Sequence, residues 1–132
     1  SRPPESSVVT DFEDFVTFES ILSGVRDDGS GEEPTYDAVA DACDGLLGLG
    51  WREDAVKIII VFTDEEGQSY RDPAISEEDM CSACSEGQVL GFFVSPLYTS
   101  SFDECGSVFN LYEDDASFIT NLESLISDPC SP

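Results

Sequence analysis

The sequence predicts an α/β domain with a mostly parallel sheet, and three observations lead to this prediction. The chain has 132 residues, of which 40% are hydrophobic, and this suits one domain with its own core. Val56–Thr63 is almost uniformly apolar and rich in β-branched residues, which is typical of a strand covered on both faces. The predicted elements follow in the order helix, helix, strand, helix, strand, strand, helix, so helices and strands are mixed along the chain.

Helices are predicted where apolar residues recur at a spacing of three and four. The first begins with a capping-box signature, Thr10 to Glu13, and the third has Ser76 as its cap with three acids in its first turn. The four helices run from Thr10 to near Gly24, from about Thr35 to the glycines of "GLGW", over Ile75–Cys84, and over Asp115–Ser127.

Two further strands are predicted at Gln88–Pro96 and Ser107–Glu113, with a short one at Val8–Thr10. A strand as apolar as Val56–Thr63 needs neighbours on both of its edges. We therefore expect an incomplete sheet that lacks its N-terminal strands. Residues 1–7, "SRPPESS", are expected to be a linker, and residues 8–130 form the predicted domain.

The charge of the chain excludes several classes of function. There are 29 acidic against 5 basic residues, a net charge of −24. Nucleic acid and anionic membranes are excluded as partners, because both need cationic side chains. No stretch reaches the ~20 apolar residues that span a bilayer, so membrane insertion is not expected. The absence of histidine and of nucleotide or esterase motifs indicates that the protein is not an enzyme. The surface instead favours cations or basic partners.

The five cysteines of this acidic, histidine-free chain favour disulfides in an oxidising compartment, and hence an extracellular or cell-surface location. The odd count leaves one cysteine without an internal partner. Cys81 and Cys84 form a C-x-x-C motif, but a zinc site would need a second pair or histidine ligands.

Acidic residues at two places predict a divalent-cation site. Asp64 stands at the carboxyl end of the central strand, where ligands of open α/β sheets bind. The loop "DDGSGEEP" supplies Glu33 and, as weaker candidates, Asp28, Ser30 and Glu32. Such oxygen ligands would suit Mg²⁺ or Ca²⁺. The alternative is that these acids belong to a solvated acidic surface.

The stretch "EEPTYDAVADAC…LGWREDAVKIIIVFTDEEGQSY" resembles the second half of a von Willebrand factor type A domain, closest to the integrin β-subunit I-like and hemicentin-type domains. The matching pieces are Glu33, Tyr36–Ala38, Gly50–Arg52 and Ile58–Asp64, and the resemblance covers roughly residues 8–127. It implies a doubly wound sheet with an ion bound by Glu33 and Asp64. An acidic residue of a protein partner would complete the coordination shell.

The resemblance also implies how the cysteines pair. It suggests Cys43 with Cys84, or with Cys81 as the alternative, and Cys105 with the remaining one of the two. Cys130 would then be unpaired or would pair outside the chain. The family's first metal loop, Asp-x-Ser-x-Ser, is absent from this sequence.

Two functions are therefore expected. The first is an extracellular adhesion or ligand-binding module with a divalent-cation site at the carboxyl edge of the sheet. The alternative is a self-assembling structural subunit of an extracellular filament, coat or matrix, in which the fold serves packing and metal is incidental.

Overall fold

The computed structural model describes residues 15–25, 33–45, 47–63, 65–94, 102–109 and 115–130. Helical residues outnumber strand residues in these ranges. In chain order the elements are α1 (Phe15–Ser23), α2 (Thr35–Asp44), β1 (Lys57–Phe62), α3 (Glu77–Glu86), β2 (Val89–Val94), β3 (Gly106–Phe109) and α4 (Asp115–Cys130).

The three strands pair in parallel in the order β1-β2-β3. The register places Lys57 beside Val89 and Gly91 beside Gly106. β1 is therefore at the edge of the sheet formed by the described strands.

The prediction of a doubly wound sheet is wrong for the part of the chain described. A doubly wound sheet reverses its strand order at a switch point, whereas this small sheet follows chain order in one direction. The predicted short strand at Val8–Thr10 and the capping box of the first helix lie outside the described residues.

The core lies where α2 and α3 pack together against one face of the sheet. Its buried members are Val39, Cys43, Met80, Cys84, Val89 and Phe102. Ile59 and Val61 of β1 pack against this cluster, so alternation along the strand directs Ile60 and Phe62 to the other face. Phe62 is 56% exposed. The expectation that β1 is covered on both faces is therefore wrong at this end of the strand.

Apolar side chains of α1 and α4 are exposed. Val16 and Leu22 of α1 are 76% and 56% exposed, and Ile119 and Ile126 of α4 are 53% and 48% exposed. Helical periodicity predicted both helices, but in the described part of the chain these apolar positions are not covered.

Local signals set the start of α3 and the end of α2. Ser76 caps α3 as predicted, because its hydroxyl accepts the Asp79 N–H while an Asp79 carboxylate oxygen accepts the Ser76 N–H. α2 ends at Asp44, earlier than the predicted end at "GLGW", and it is capped by Gly45, whose φ of 83° is the left-handed conformation that glycine adopts without strain.

Trp51 lies in the turn that leads into β1, and it is the single tryptophan of the chain. Its indole nitrogen is buried and has no hydrogen-bond partner among the described residues. None of the described helices is both long enough and apolar enough to cross a membrane.

Candidate functional site

An open cavity of ≈ 410 Å³ lies between α2 and β1. Ile59–Thr63, five consecutive residues, line it on the strand side. Because successive side chains of a strand point to opposite faces, a cavity lined by all five follows the edge of β1 rather than one face. On the helix side the lining residues are Glu33, Pro34, Thr35, Ala38, Val39 and Ala42.

Glu33 and the carboxyl-terminal part of β1 line the same cavity. Glu33 is exposed and lies one residue before Pro34, the N-cap of α2, and it shares the cavity with Thr63, the residue that follows β1. Asp64, the other principal predicted ligand, lies outside the described residues, as do Asp28, Ser30 and Glu32. Their part in an ion site stays a prediction.

Thr63 shapes the chain just after β1. The side chain is buried, and its hydroxyl accepts a hydrogen bond from the Glu65 N–H at 3.2 Å. Glu33 and Thr63, which both line the cavity, offer oxygen atoms as ligands. Such a donor set fits Mg²⁺ or Ca²⁺ and does not fit zinc.

Asp37 fastens the segment after β1 to the first turn of α2. It is only 9% exposed, and its two carboxylate oxygens accept the Ser69 hydroxyl at 2.5 Å and the Tyr70 N–H at 2.8 Å. Arg71 lies 3.7 Å from the same carboxylate and also pairs with Asp41, one turn further along α2. The Ser69 oxygen in turn accepts the Ile75 N–H at 3.1 Å. These bonds fix the chain that leaves the candidate site.

Gly67 allows this segment to approach α2 closely. A Cβ atom at Gly67 would lie 2.3 Å from the ring of Tyr36, so no larger residue fits without a shift. The Tyr36 N–H donates to the Gln68 carbonyl, and the Tyr36 ring packs edge-on against buried Phe102, with 5.8 Å between centroids. Tyr36 thus links the segment after β1 to the core.

A second acidic cluster, which the sequence analysis missed, lies at the start of α3. One ligand atom each from Glu77, Cys81 and Glu104 lies within 4.8 Å of the others. Burial raises the pKa of the Glu77 carboxyl, and repulsion from Glu104 and Asp103 adds to this, while the Glu104 N–H bond opposes it. Because the Cys81 sulfur is in a disulfide, it is not a thiolate ligand.

Two disulfides connect α3 to its surroundings. Cys43 of α2 is bonded to Cys84, and Cys81 is bonded to Cys105 in the segment before β3. Of the two alternatives for Cys43, the structure therefore has Cys84. Disulfides of this kind fit a protein of an oxidising compartment. The pairing of Cys130, at the end of α4, stays a prediction.

Comparisons with family models, with curated proteins and with solved structures each find no match. The resemblance to type A domains therefore remains a hypothesis drawn from short motifs, and the functional argument depends on the site itself.

Proposed function

We propose that this protein is an extracellular ligand-binding module of the adhesion type, which binds another protein at the carboxyl end of β1. The observation that supports this function is the open cavity at the edge of β1, with Glu33 and Thr63 among its lining residues. Concave apolar sites with few polar groups are the usual form of binding sites. The two disulfides support the extracellular location.

The proposal includes a divalent ion, Mg²⁺ or Ca²⁺, held by Glu33 and Asp64. Glu33 lines the same cavity as Thr63, the residue that immediately precedes Asp64, and this supports a shared site. When bound, the ion would supply positive charge to a strongly acidic surface and attract an acidic residue of the partner. Thr63 and Asp37 would hold the chain on either side of the ligands.

Isothermal titration calorimetry with Ca²⁺ tests the ion site. We expect the wild-type protein to bind Ca²⁺ saturably and Glu33→Ala and Asp64→Ala to weaken this binding by about tenfold or more, a loss of ~1.4 kcal/mol or more. The matched control is Glu53→Ala, which removes an exposed acid from the turn before β1. Equal binding by all three variants would show only diffuse attraction to the acidic surface.

A structural, self-assembling subunit is the second candidate function. It is favoured by the exposed apolar residues of α1 and α4, of which Val16 and Ile119 are examples. Such residues would be covered if these helices packed against other copies of the chain. Sedimentation over a range of protein concentrations tests it: assembly that Val16→Asp abolishes would support this function, and a monomer at all concentrations would exclude it.

A further inference from the structure

We propose that the outer edge of β1 and the cavity beside it bind an extended segment of a protein partner. This segment has alternating apolar side chains and basic residues at its ends. It would add a strand to the sheet and place apolar side chains in the cavity. The proposal goes beyond the proposed function: it concerns binding without an ion, and it rests on the cavity and the strand edge.

The first support is the position of β1 in the sheet. β1 pairs with β2, and among the described strands none pairs with its other edge. Backbone N–H and C=O groups at an unpaired edge are a template for an added strand. Ile58 and Ile60 are only partly buried, so an added strand would also cover apolar surface on this edge.

The second support is the cavity that follows the same edge. Its volume of ≈ 410 Å³ falls within the ~300–1,000 Å³ that is typical of ligand sites. Small side chains, Ala38 and Ala42, form part of its helix wall, and Ile59 and Val61 form part of its strand wall. An added strand presents every second side chain to one face, so one row of apolar side chains would enter this space.

Charge selects the partner. A second copy of the chain carries the same net charge of −24 and is repelled, whereas a basic segment is attracted. Glu33 lines the cavity, and Glu65 lies two residues after Thr63, the last strand-side residue of the lining, so acidic residues border the groove. Lys57, the one cation of β1, donates to the Gly87 carbonyl at 3.2 Å and is thus directed towards the start of β2.

The experiment uses the intact, disulfide-bonded protein with a chelator present, so that an ion cannot contribute. The probe is a synthetic peptide of alternating valine and threonine with a lysine at each end, and its binding is measured by calorimetry. One control peptide has glutamate at both ends. A second has proline in place of alternate residues, which removes backbone donors while keeping the charge.

Two protein variants locate the site. Ala42→Trp fills the cavity, and Ala116→Trp, on the exposed side of α4, is the matched control. We expect the lysine peptide to bind saturably to the wild type and to Ala116→Trp. Binding to Ala42→Trp should be weaker by about tenfold, because the peptide's apolar side chains lose their space. The glutamate peptide and the proline peptide should not bind.

Hydrogen exchange of the wild-type protein gives a readout that does not depend on whether Ala42→Trp folds. Added lysine peptide should slow exchange of β1 amides, whereas the amides of α4 should be unchanged. Equal binding of the proline peptide would overturn the proposal, since attraction to the acidic surface would then suffice. Protection of β1 that rises with protein concentration alone would also overturn it, because a second copy would be the occupant.

A calcium titration that fails while the lysine peptide still binds would contradict the ion site and leave this inference standing. The reverse result, ion binding through Glu33 with no protection of β1 by the peptide, would contradict this inference alone.

Discussion

Replacing Asp37 by alanine should destabilise the protein far more than the same change at Asp41. Both side chains lie on α2 and both pair with Arg71, but only Asp37 is buried and accepts hydrogen bonds from Ser69 and Tyr70. A hydrogen bond to a charged group contributes ~1.5–3 kcal/mol, and its loss leaves a donor without a partner. Removal of the costly buried charge offsets part of this, so we expect a net loss of about 3 kcal/mol for Asp37→Ala.

The exposed end of the network should contribute much less. The pair of Arg71 with Asp41 is partly exposed, and such pairs contribute ~0–1 kcal/mol. Asp37→Asn should fall between the two alanine variants, because the amide keeps one acceptor and presents N–H groups where the second acceptor was.

Urea unfolding, followed by far-ultraviolet circular dichroism at neutral pH, measures these differences. The amide exchange rate of Tyr70 reports whether the segment after β1 has been released from α2. If Asp37→Ala and Asp41→Ala lower the unfolding free energy by the same amount, the argument that Asp37 fastens this segment is refuted.

Two other predictions concern α3. Replacing both Cys43 and Cys84 by alanine opens a link across a sequence separation of 41 residues. Loss of this disulfide should lower the unfolding free energy by ~4 kcal/mol, because the unfolded chain gains conformational entropy. Urea unfolding measures the change, and a loss under ~1 kcal/mol would contradict the prediction. Glu77→Gln should change the pH dependence of stability. Burial raises the pKa of Glu77 above 4.5 in the folded state. The contribution of the Glu77 carboxyl to the unfolding free energy is therefore largest below pH 4.5, and it falls as pH rises through the folded pKa. The variant should therefore gain stability relative to the wild type between pH 4 and pH 7. The same difference in unfolding free energy between variant and wild type at both pH values would contradict this.

The secondary structure could largely be predicted from the sequence, because its signals are local. The β-branched run that predicts Val56–Thr63 becomes β1, Lys57–Phe62, and the cap at Ser76 starts α3. The arrangement of these elements depends on which segments cover them, and local patterns do not contain that information. The same apolar pattern that predicts α1 therefore says nothing about Val16 being exposed, and the apolar run of β1 does not place it at the edge of the sheet.

The candidate site was predictable to a similar extent. Because ligands of parallel sheets bind at the carboxyl ends of strands, Glu33 and the residues after β1 could be predicted as candidate ligands. Asp37 was not recognised as a structural residue. An acid in the first turn of a helix is already favourable beside the helix dipole, so its sequence position gives no reason to expect a distant partner. Its hydrogen bonds to Ser69 and Tyr70 join residues more than thirty positions apart.

Trp51 is an intrinsic fluorescence probe of the turn before β1. Since no other tryptophan is present, ultraviolet emission excited at the red edge of the absorption band comes from one indole, in the turn before β1. That indole nitrogen is shielded from water, so emission should shift to longer wavelength when this turn opens. Disruption of β1 at its amino end should therefore change the emission. Emission and circular dichroism that change at different urea concentrations would therefore reveal that the chain does not unfold as one unit.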